Sequence, residues 1–246
     1  MSGSRAEQVD TLRISQVTTL LLIRHGRTTA NSKGILAGRN PGIELDRAGR
    51  EQAQDLADRL RDVPLTHIVT SPLERTVSTA KALVSGRDVK LLRDRRIIEC
   101  DYGSWSGKKL KTLAKDPLWV SVQAHPSAVT FPDGESMAGA QLRAVAAARA
   151  WSARAERETG KHSIVALVSH GDVIKSILAD ALGMHLDAFQ RIVIDPASVS
   201  VLTYTPLRPF VSGVNEQGDL GRLIPAPTAS SDSAVGGGAG SARAHS

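Results

Sequence analysis

Residues 18–31 read TTLLLIRHGRTTAN, and this segment is the most informative about the fold. Its apolar run at 20–23 stops abruptly at Arg24, His25 and Gly26. A short, continuous apolar run that ends in turn residues is typical of a buried strand in a parallel sheet. Because ligands of open α/β sheets bind beyond the carboxyl ends of the strands, we expect Arg24 and His25 to lie where such a sheet does its chemistry.

A second stretch, residues 163–175, repeats this arrangement with the sequence SIVALVSHGDVIK. Its apolar run at 164–168 ends in Ser-His-Gly at 169–171, and residues 172–182 then follow a helical pattern. The order of strand, His-Gly and helix therefore occurs twice. Two strands of this kind can bring two imidazoles together at one edge of a sheet.

These two units belong to a larger set of motifs that follow one another along the chain. The four motifs are RHGRTTAN at 24–31, SPLERTVSTA at 71–80, ECDYGSWSG at 99–107 and SHG at 169–171. In this order they resemble the histidine phosphatase superfamily, which is also called phosphoglycerate mutase-like. The resemblance covers about residues 18–204, and it implies phosphoryl chemistry at the two histidines.

The remaining hydrophobic pattern predicts alternating strands and helices. We expect a helix that begins at the N-cap Asp46 and ends before Pro64, and a second helix that is capped by Ser71. The second helix spans 73–84, a third spans 136–159, and strands are expected at 66–70, 89–92, 192–194, 198–205 and 210–214. This order predicts an α/β fold, a three-layer α/β/α sandwich with a mostly parallel sheet, as the resemblance also implies.

The composition along the chain suggests three parts. We expect residues 1–16 to be a flexible N-terminal arm, residues 17–224 to form the histidine phosphatase domain, and residues 225–246 to be a disordered Pro/Ala/Ser/Gly-rich tail. Within the domain, residues 108–136 look like a lid-like insertion at the active end of the sheet. The lysines at 108–115 suit either an electropositive lid or a solvated helix face, and the sequence leaves both open.

The overall composition limits the class of protein. A chain of 246 residues suits one large domain or two small ones, and its 41% hydrophobic and 23% charged residues are ordinary for a globular protein. No apolar run approaches the roughly 20 residues of a membrane helix, and the N-terminus lacks the apolar segment of a secretory signal. A single cysteine excludes an intrachain disulfide framework. We therefore expect a cytoplasmic protein that does not bind membranes.

The charge balance points to small anionic partners. A net charge of +6 and a pI near 9.8 attract anions, including nucleic acid. The basic residues are dispersed, however, and aromatic residues make up only 3% of the chain, so we expect no nucleic-acid partner. The expected partner is a small phosphorylated metabolite, and assembly into a homo-oligomer stays open.

The motif residues suit hydrolysis of a phosphoester. His25 can attack phosphorus if its other ring nitrogen donates to a carbonyl, while Arg24 and Arg75 offer planar forks for the phosphoryl oxygens. His170, if protonated, adds another cation. The resemblance assigns these same roles to the four residues. It also suggests phosphate or substrate contacts from Thr28, Asn31 and Gly38. Gly171 and Tyr102 are further candidates for such contacts, and Tyr102 equally suits an aromatic residue that supports its loop.

Glu99 is the candidate general acid. Positive neighbours would lower its pKa and burial would raise it, and the sequence leaves that balance open. Cys100 beside it is interpreted as structural, because a cysteine phosphatase needs an arginine where Ser106 stands. No spacing of histidines and carboxylates suggests a metal site, so we expect neither a metal nor another cofactor.

Three functions are compatible with these residues. The interval between Glu99 and His170 looks short compared with that of the glycolytic mutases, which favours a phosphatase that forms a phosphohistidine intermediate. Phosphoglycerate mutase-type transfer is the first alternative, and non-catalytic binding of phosphorylated ligands is the second. Two departures from the family pattern, Arg27 and Asp172, can each alter substrate choice.

Overall fold

The computed structural model describes residues 17–159 and 162–223. The predicted N-terminal arm at 1–16 and the predicted tail at 225–246 lie outside these residues. The division of the chain into three parts therefore stays a prediction.

Within the described residues, six strands form one mixed sheet. The strands are β1 (Thr18–Arg24), β2 (Leu65–Thr70), β3 (Leu91–Arg93), β4 (Ser163–Ser169), β5 (Val199–Tyr204) and β6 (Pro209–Glu216). Their order across the sheet is β3-β2-β4-β1-β5-β6. The first four pair in parallel, and β5 runs antiparallel to both β1 and β6. The mostly parallel sheet of the predicted α/β fold is thereby confirmed.

Helices cover both faces of the sheet. Their bounds are α1 (Thr29–Ser32), α2 (Arg47–Arg59), α3 (Glu74–Val84), α4 (Leu110–Leu113), α5 (Leu118–Ala124), α6 (Met137–Thr159) and α7 (Gly171–Ala181). Short 3₁₀ turns lie at Arg95–Ile97, Gly103–Trp105, Pro126–Ala128, Leu186–Arg191 and Gly221–Leu223. Across the part of the chain that is described, no helix combines the length and the hydropathy needed to cross a membrane.

The two faces of the sheet carry two separate hydrophobic cores. Leu20 and Leu22 of β1 join the core beneath α6 and α7, whereas Leu21 and Ile23 join the core beneath α2 and α3. Successive side chains of a strand point to opposite faces, so a continuous apolar run is what a strand covered on both sides requires. This is the physical reason why the run at 20–23 predicted a central strand.

Two local predictions were wrong. Ser71 does not cap α3, whose N-cap is Leu73, and the Ser71 hydroxyl instead contacts the His170 ring. Residues 192–194 form a loop and not a strand. Ile192 and Ile194 are buried there on either side of the exposed Val193, so the loop produces the alternation that is typical of a strand.

The pairing of β1 with β4 positions both His-Gly units. Arg24 is in register with Ser169, and the N–H of His25 donates to the Ser169 carbonyl at 3.0 Å. The residues that follow the two strands, His25 and His170, are therefore neighbours at one edge of the sheet.

The glycine of the first unit allows α2 to pack against it. A Cβ atom on Gly26 would overlap the carbonyl oxygen of Gly49 in α2, and one on Gly49 would overlap the carbonyl oxygen of Arg27. The two backbones thus approach each other more closely than any side chain permits. This contact fixes the chain immediately after His25.

We predict that Gly49→Ala lowers the free energy of unfolding by about 1–3 kcal/mol, the usual cost of overpacking. This is the reverse of what alanine normally does in a helix, where it is favoured over glycine by about 1 kcal/mol. The matched control is Gly139→Ala in α6, where the added methyl meets only the Ser136 hydroxyl at 3.0 Å. Urea titration of both variants makes the comparison, and equal stability of the two would contradict the packing argument.

Candidate active site

The two histidines lie side by side and are almost completely buried. Their ring centroids are 5.4 Å apart, with an angle of 62° between the ring planes. His25 follows β1, and His170 is the N-cap of α7 without using its side chain to cap the helix. Both side chains are therefore free to take part in a network at the carboxyl edge of the sheet.

Hydrogen bonds fix the protonation pattern of both rings. Nδ1 of His25 donates to the Gly26 carbonyl at 2.7 Å, which leaves Nε2 with a lone pair. Nε2 of His170 lies 2.8 Å from the Ser71 hydroxyl, and its Nδ1 faces the guanidinium of Arg75 at 3.2 Å. A guanidinium only donates, so Nδ1 of His170 accepts and Nε2 carries the hydrogen.

Burial lowers the pKa of His25 well below its ordinary value, and the positive charges of Arg75 and Arg24 lower it further. The pKa of His170 is lowered as well, first by burial and then by Arg75 and His25. Both imidazoles are thus neutral near pH 7. His25 is in the form that a nucleophile needs, while His170 is not a cation in the free protein.

Arg75 is fully buried between the two histidines. Its Nε donates to Nε2 of His25 at 3.2 Å, and its Nη2 donates to the Gly38 carbonyl at 2.8 Å. Its Nη1 is buried and has no partner, and the same is true of Nε of Arg24, whose Nη1 donates to the Ile194 carbonyl at 2.6 Å. Two buried guanidinium nitrogens near His25 therefore have no hydrogen-bond acceptor among the described residues, and a bound anion could supply one.

Glu99 is buried at the same place. Burial raises its pKa to about 7, and the negative charge of Asp172 adds to the rise, whereas Arg75 and the Cys100 N–H oppose it. The balance that the sequence left open is thus decided by burial. Near neutral pH a large share of the Glu99 side chains carries the proton that a general acid needs.

The backbone of Glu99 is held by side chains that the sequence analysis missed. Nε of Arg39 and Nη2 of Arg143 both donate to the Glu99 carbonyl, at 2.8 and 3.1 Å. The Glu135 carboxylate binds both guanidinium groups and also accepts from the Asp101 N–H at 2.9 Å. No local pattern marks these residues, since the partners lie far apart in the sequence.

The predicted contact residues all line one cavity of about 440 Å³, together with Arg24, His25, Arg75 and Glu99. The predicted contacts are Thr28, Asn31, Gly38, Gly171 and Tyr102. His170 and Ser71 do not line this cavity. They lie behind its wall, where His170 contacts Arg75 and has Nδ1 4.0 Å from the Glu99 carboxylate.

Several of these contacts already have partners within the protein. The hydroxyl of Thr28 donates to the Asn31 amide oxygen at 2.8 Å, and the two side chains form the capping box of α1. Gly38 offers its carbonyl to Arg75, and its φ of +53° is one that glycine adopts without strain. The hydroxyl of Tyr102 donates to Asp172 at 2.7 Å.

Of the two departures from the family pattern, only Asp172 borders the cavity. Arg27 is half-exposed and does not line the cavity. It forms a 2.8 Å ion pair with Asp46, the N-cap of α2. The lysines at 108–115 are exposed and do not line the cavity either. Asp172 is thus the departure that acts on the site, because it raises the pKa of Glu99.

The described residues contain no group of three or more histidine, cysteine, aspartate or glutamate side chains that could hold a metal ion. Cys100 is buried, and burial raises the pKa of its thiol well above the ordinary value. The thiol is therefore inert near neutral pH, as its structural interpretation requires.

Comparison with known proteins agrees with this geometry. The sequence model of the histidine phosphatase superfamily (branch 1) matches residues 20–217. Phosphoserine phosphatase 1 of Hydrogenobacter thermophilus is 30% identical over 212 residues, which are 83% of this chain and 95% of that protein. "Probable phosphoglycerate mutase GpmB" of Yersinia enterocolitica is 30% identical over 210 residues, with 83% and 94% covered.

Solved structures show the same fold. Bacillus stearothermophilus YhfR superimposes with a TM-score of 0.74 at 27% identity, over 82% of this chain and 98% of that one. The family model spans most of the chain, and its match includes all four motifs. The chain therefore belongs to the histidine phosphatase superfamily, as a histidine-type phosphatase or a related mutase.

Proposed function

We propose that the protein is a phosphomonoester hydrolase that acts on a small phosphorylated metabolite through a phosphohistidine on His25. The observation that carries this proposal is the pair of buried guanidinium donors without partners, on Arg24 and Arg75, beside the neutral ring of His25. A phosphoryl group carries negative charge and offers pairs of acceptor oxygens, which is what a planar guanidinium fork binds best.

In the first step, the Nε–H of Arg75 turns from Nε2 of His25 to a phosphoryl oxygen, and the freed lone pair attacks phosphorus while the bond to the leaving oxygen breaks. Arg24 and Arg75 stabilise the negative charge of the transferring group, and the N-terminus of α7 adds a favourable partial charge. The proton of the Glu99 carboxyl group moves to the leaving oxygen. The products of this step are a free alcohol, phospho-His25 and the Glu99 carboxylate.

In the second step, water attacks phosphorus and the bond to His25 breaks. The Glu99 carboxylate takes a proton from this water, so that inorganic phosphate leaves and both residues return to their starting forms. His170 supports the reaction through Arg75, because its Nδ1 accepts from the guanidinium and holds it beside His25. The chemistry uses no metal or cofactor.

The charges of the cavity favour hydrolysis over mutase-type transfer. A bisphosphate requires a second set of cations, but Lys175 is the only cation besides Arg24 and Arg75 among the described residues of the cavity wall. Its ammonium group lies 3.7 Å from the Asp172 carboxylate, which neutralises it. One relative named a phosphatase and one named a probable mutase are both 30% identical to this chain, so sequence identity does not distinguish the two activities. The number of free cations in the cavity wall is what favours hydrolysis.

We predict that rapid quenching with labelled substrate traps an acid-labile, base-stable phosphoprotein, and that His25→Ala abolishes it. The reason is that Nε2 of His25 carries the lone pair that attacks phosphorus in the step above. The control is His125→Ala, because the His125 side chain is 74% exposed and does not line the cavity. Equal labelling of the His25→Ala variant would exclude the phosphohistidine.

We predict that kcat/KM falls as the pH rises through about 7, because Glu99 must be protonated and its pKa is raised to about 7. Glu99→Gln should remove this fall and cost about 10²- to 10⁴-fold on alkyl phosphates. The loss on p-nitrophenyl phosphate should be much smaller, since nitrophenolate leaves without a proton. This comparison of leaving groups requires that the chemical step limits the rate with both substrates.

The control for the pH profile is Asp172→Asn. Removing this negative charge should shift the fall in kcat/KM to lower pH, because Asp172 contributes to the raised pKa of Glu99. An equal loss for both substrate types in Glu99→Gln, with an unchanged pH profile, would show that Glu99 only positions Arg75 or the phosphate.

We predict that 2-phosphoglycerate forms from 3-phosphoglycerate more slowly than phosphate is released, even with a bisphosphoglycerate primer. The cavity has one cation pair for one phosphoryl group, so a bisphosphate binds weakly. Parallel assays for 2-phosphoglycerate and inorganic phosphate make the measurement. Interconversion faster than phosphate release from any tested ester would establish the mutase instead.

A further inference from the structure

Beyond the phosphate-binding groups, the cavity opens into a chamber whose walls are largely apolar. We call it the leaving-group chamber and define it by loop residues 35–37, by residues 192–194, and by Leu110, Trp119 and Val122 of the segment at 108–136. Trp119 stacks on the buried Trp105, with ring centroids 6.1 Å apart and 26° between the planes. The rings of Phe131 and Trp105 pack edge to face with centroids 5.4 Å apart, so neighbouring aromatic rings support this wall.

The chamber has few charged side chains that could bind a charged leaving group. Apart from the phosphate-binding arginines and Glu99, the charged residues on the described cavity wall are Asp172 and Lys175. These two lie 3.7 Å apart, Tyr102 donates to Asp172, and Lys175 donates to Gln190 at 3.0 Å. The carboxylate of a glycerate or an amino acid would have to break this pair to find a cation.

Exposed apolar side chains at the mouth indicate what the chamber binds. Val193 is 61% exposed and Leu110 is 40% exposed, and both border the cavity. The total volume of about 440 Å³ suits a small organic ligand and exceeds what a phosphoryl group alone fills. A ligand that reaches from His25 to Val193 would remove this apolar surface from water.

From this geometry we infer that the leaving group of the substrate is an uncharged, apolar alkyl or aryl group that occupies the leaving-group chamber. The inference rests on the proposed phosphatase activity and names its substrate class. Binding energy from the chamber is added to that from the phosphoryl group. Val193 lies next to Ile194, whose carbonyl accepts a hydrogen bond from Arg24. The leaving-group chamber is therefore adjacent to the phosphate-binding arginines.

The test is a series of ethyl, butyl and hexyl phosphates with the wild-type protein. These alcohols leave with nearly equal basicity, so differences in kcat/KM report on binding of the chain. We expect kcat/KM to rise about fourfold for each methylene that enters the chamber. Hexyl phosphate should exceed both 3-phosphoglycerate and phosphoserine by about tenfold or more, the effect of at least two buried methylenes.

The variant Val193→Arg tests the position of the chamber. It places a cation at the mouth of the chamber, so the ratio of kcat/KM for hexyl phosphate to that for ethyl phosphate should fall about tenfold. The ratio of kcat/KM for 3-phosphoglycerate to that for hexyl phosphate should rise. Val120→Arg is the matched control, because Val120 is 70% exposed on α5 but does not border the cavity. The control should keep the wild-type ratio.

The outcomes separate the two proposals. If p-nitrophenyl and ethyl phosphate are hydrolysed but kcat/KM stays flat along the alkyl series, the apolar leaving group is wrong and the phosphatase stands. A preference for 3-phosphoglycerate or phosphoserine over hexyl phosphate would also overturn it. If no ester releases phosphate, the phosphatase activity itself is wrong, and the inference falls with it.

Discussion

The parallel pairing of β1 with β4 is the constraint on which the site depends. It joins two strands that lie more than a hundred residues apart in the chain, with Arg24 in register with Ser169. A slip of one residue would turn every side chain of β1 to the opposite face and separate His25 from His170. The two hydrophobic cores resist such a slip, because both faces of the strand are buried.

Burial then sets the electrostatics of the site. The same low-polarity surroundings lower the pKa values of His25 and His170 and raise the pKa of Glu99. Burial disfavours every charged form, so it provides a neutral nucleophile and a protonated acid at the same pH. The fixed charges of Arg24 and Arg75 persist, since a guanidinium stays protonated in proteins, and they supply the counter-charge for a phosphoryl group.

The loop that carries Glu99 is fixed from outside the cavity. Arg39 and Arg143 hold the Glu99 carbonyl, and Glu135 joins the two guanidinium groups. The segment at 108–136 meets this network through Glu135 and contributes Trp119 to the cavity wall. The same segment therefore helps to position Glu99 and to shape the leaving-group chamber. A change in this segment is expected to affect both proton transfer and binding of the leaving group.

The fold class and the residues around the nucleophile could be predicted from the amino-acid sequence. Continuous apolar runs that end in His-Gly predict buried parallel strands and their functional ends, because a local pattern carries this information. Three features could not be predicted in this way: the contact of Ser71 with His170, the raised pKa of Glu99 and the arginines that hold its loop. These depend on burial and on contacts between distant segments, and no local pattern of residues encodes either.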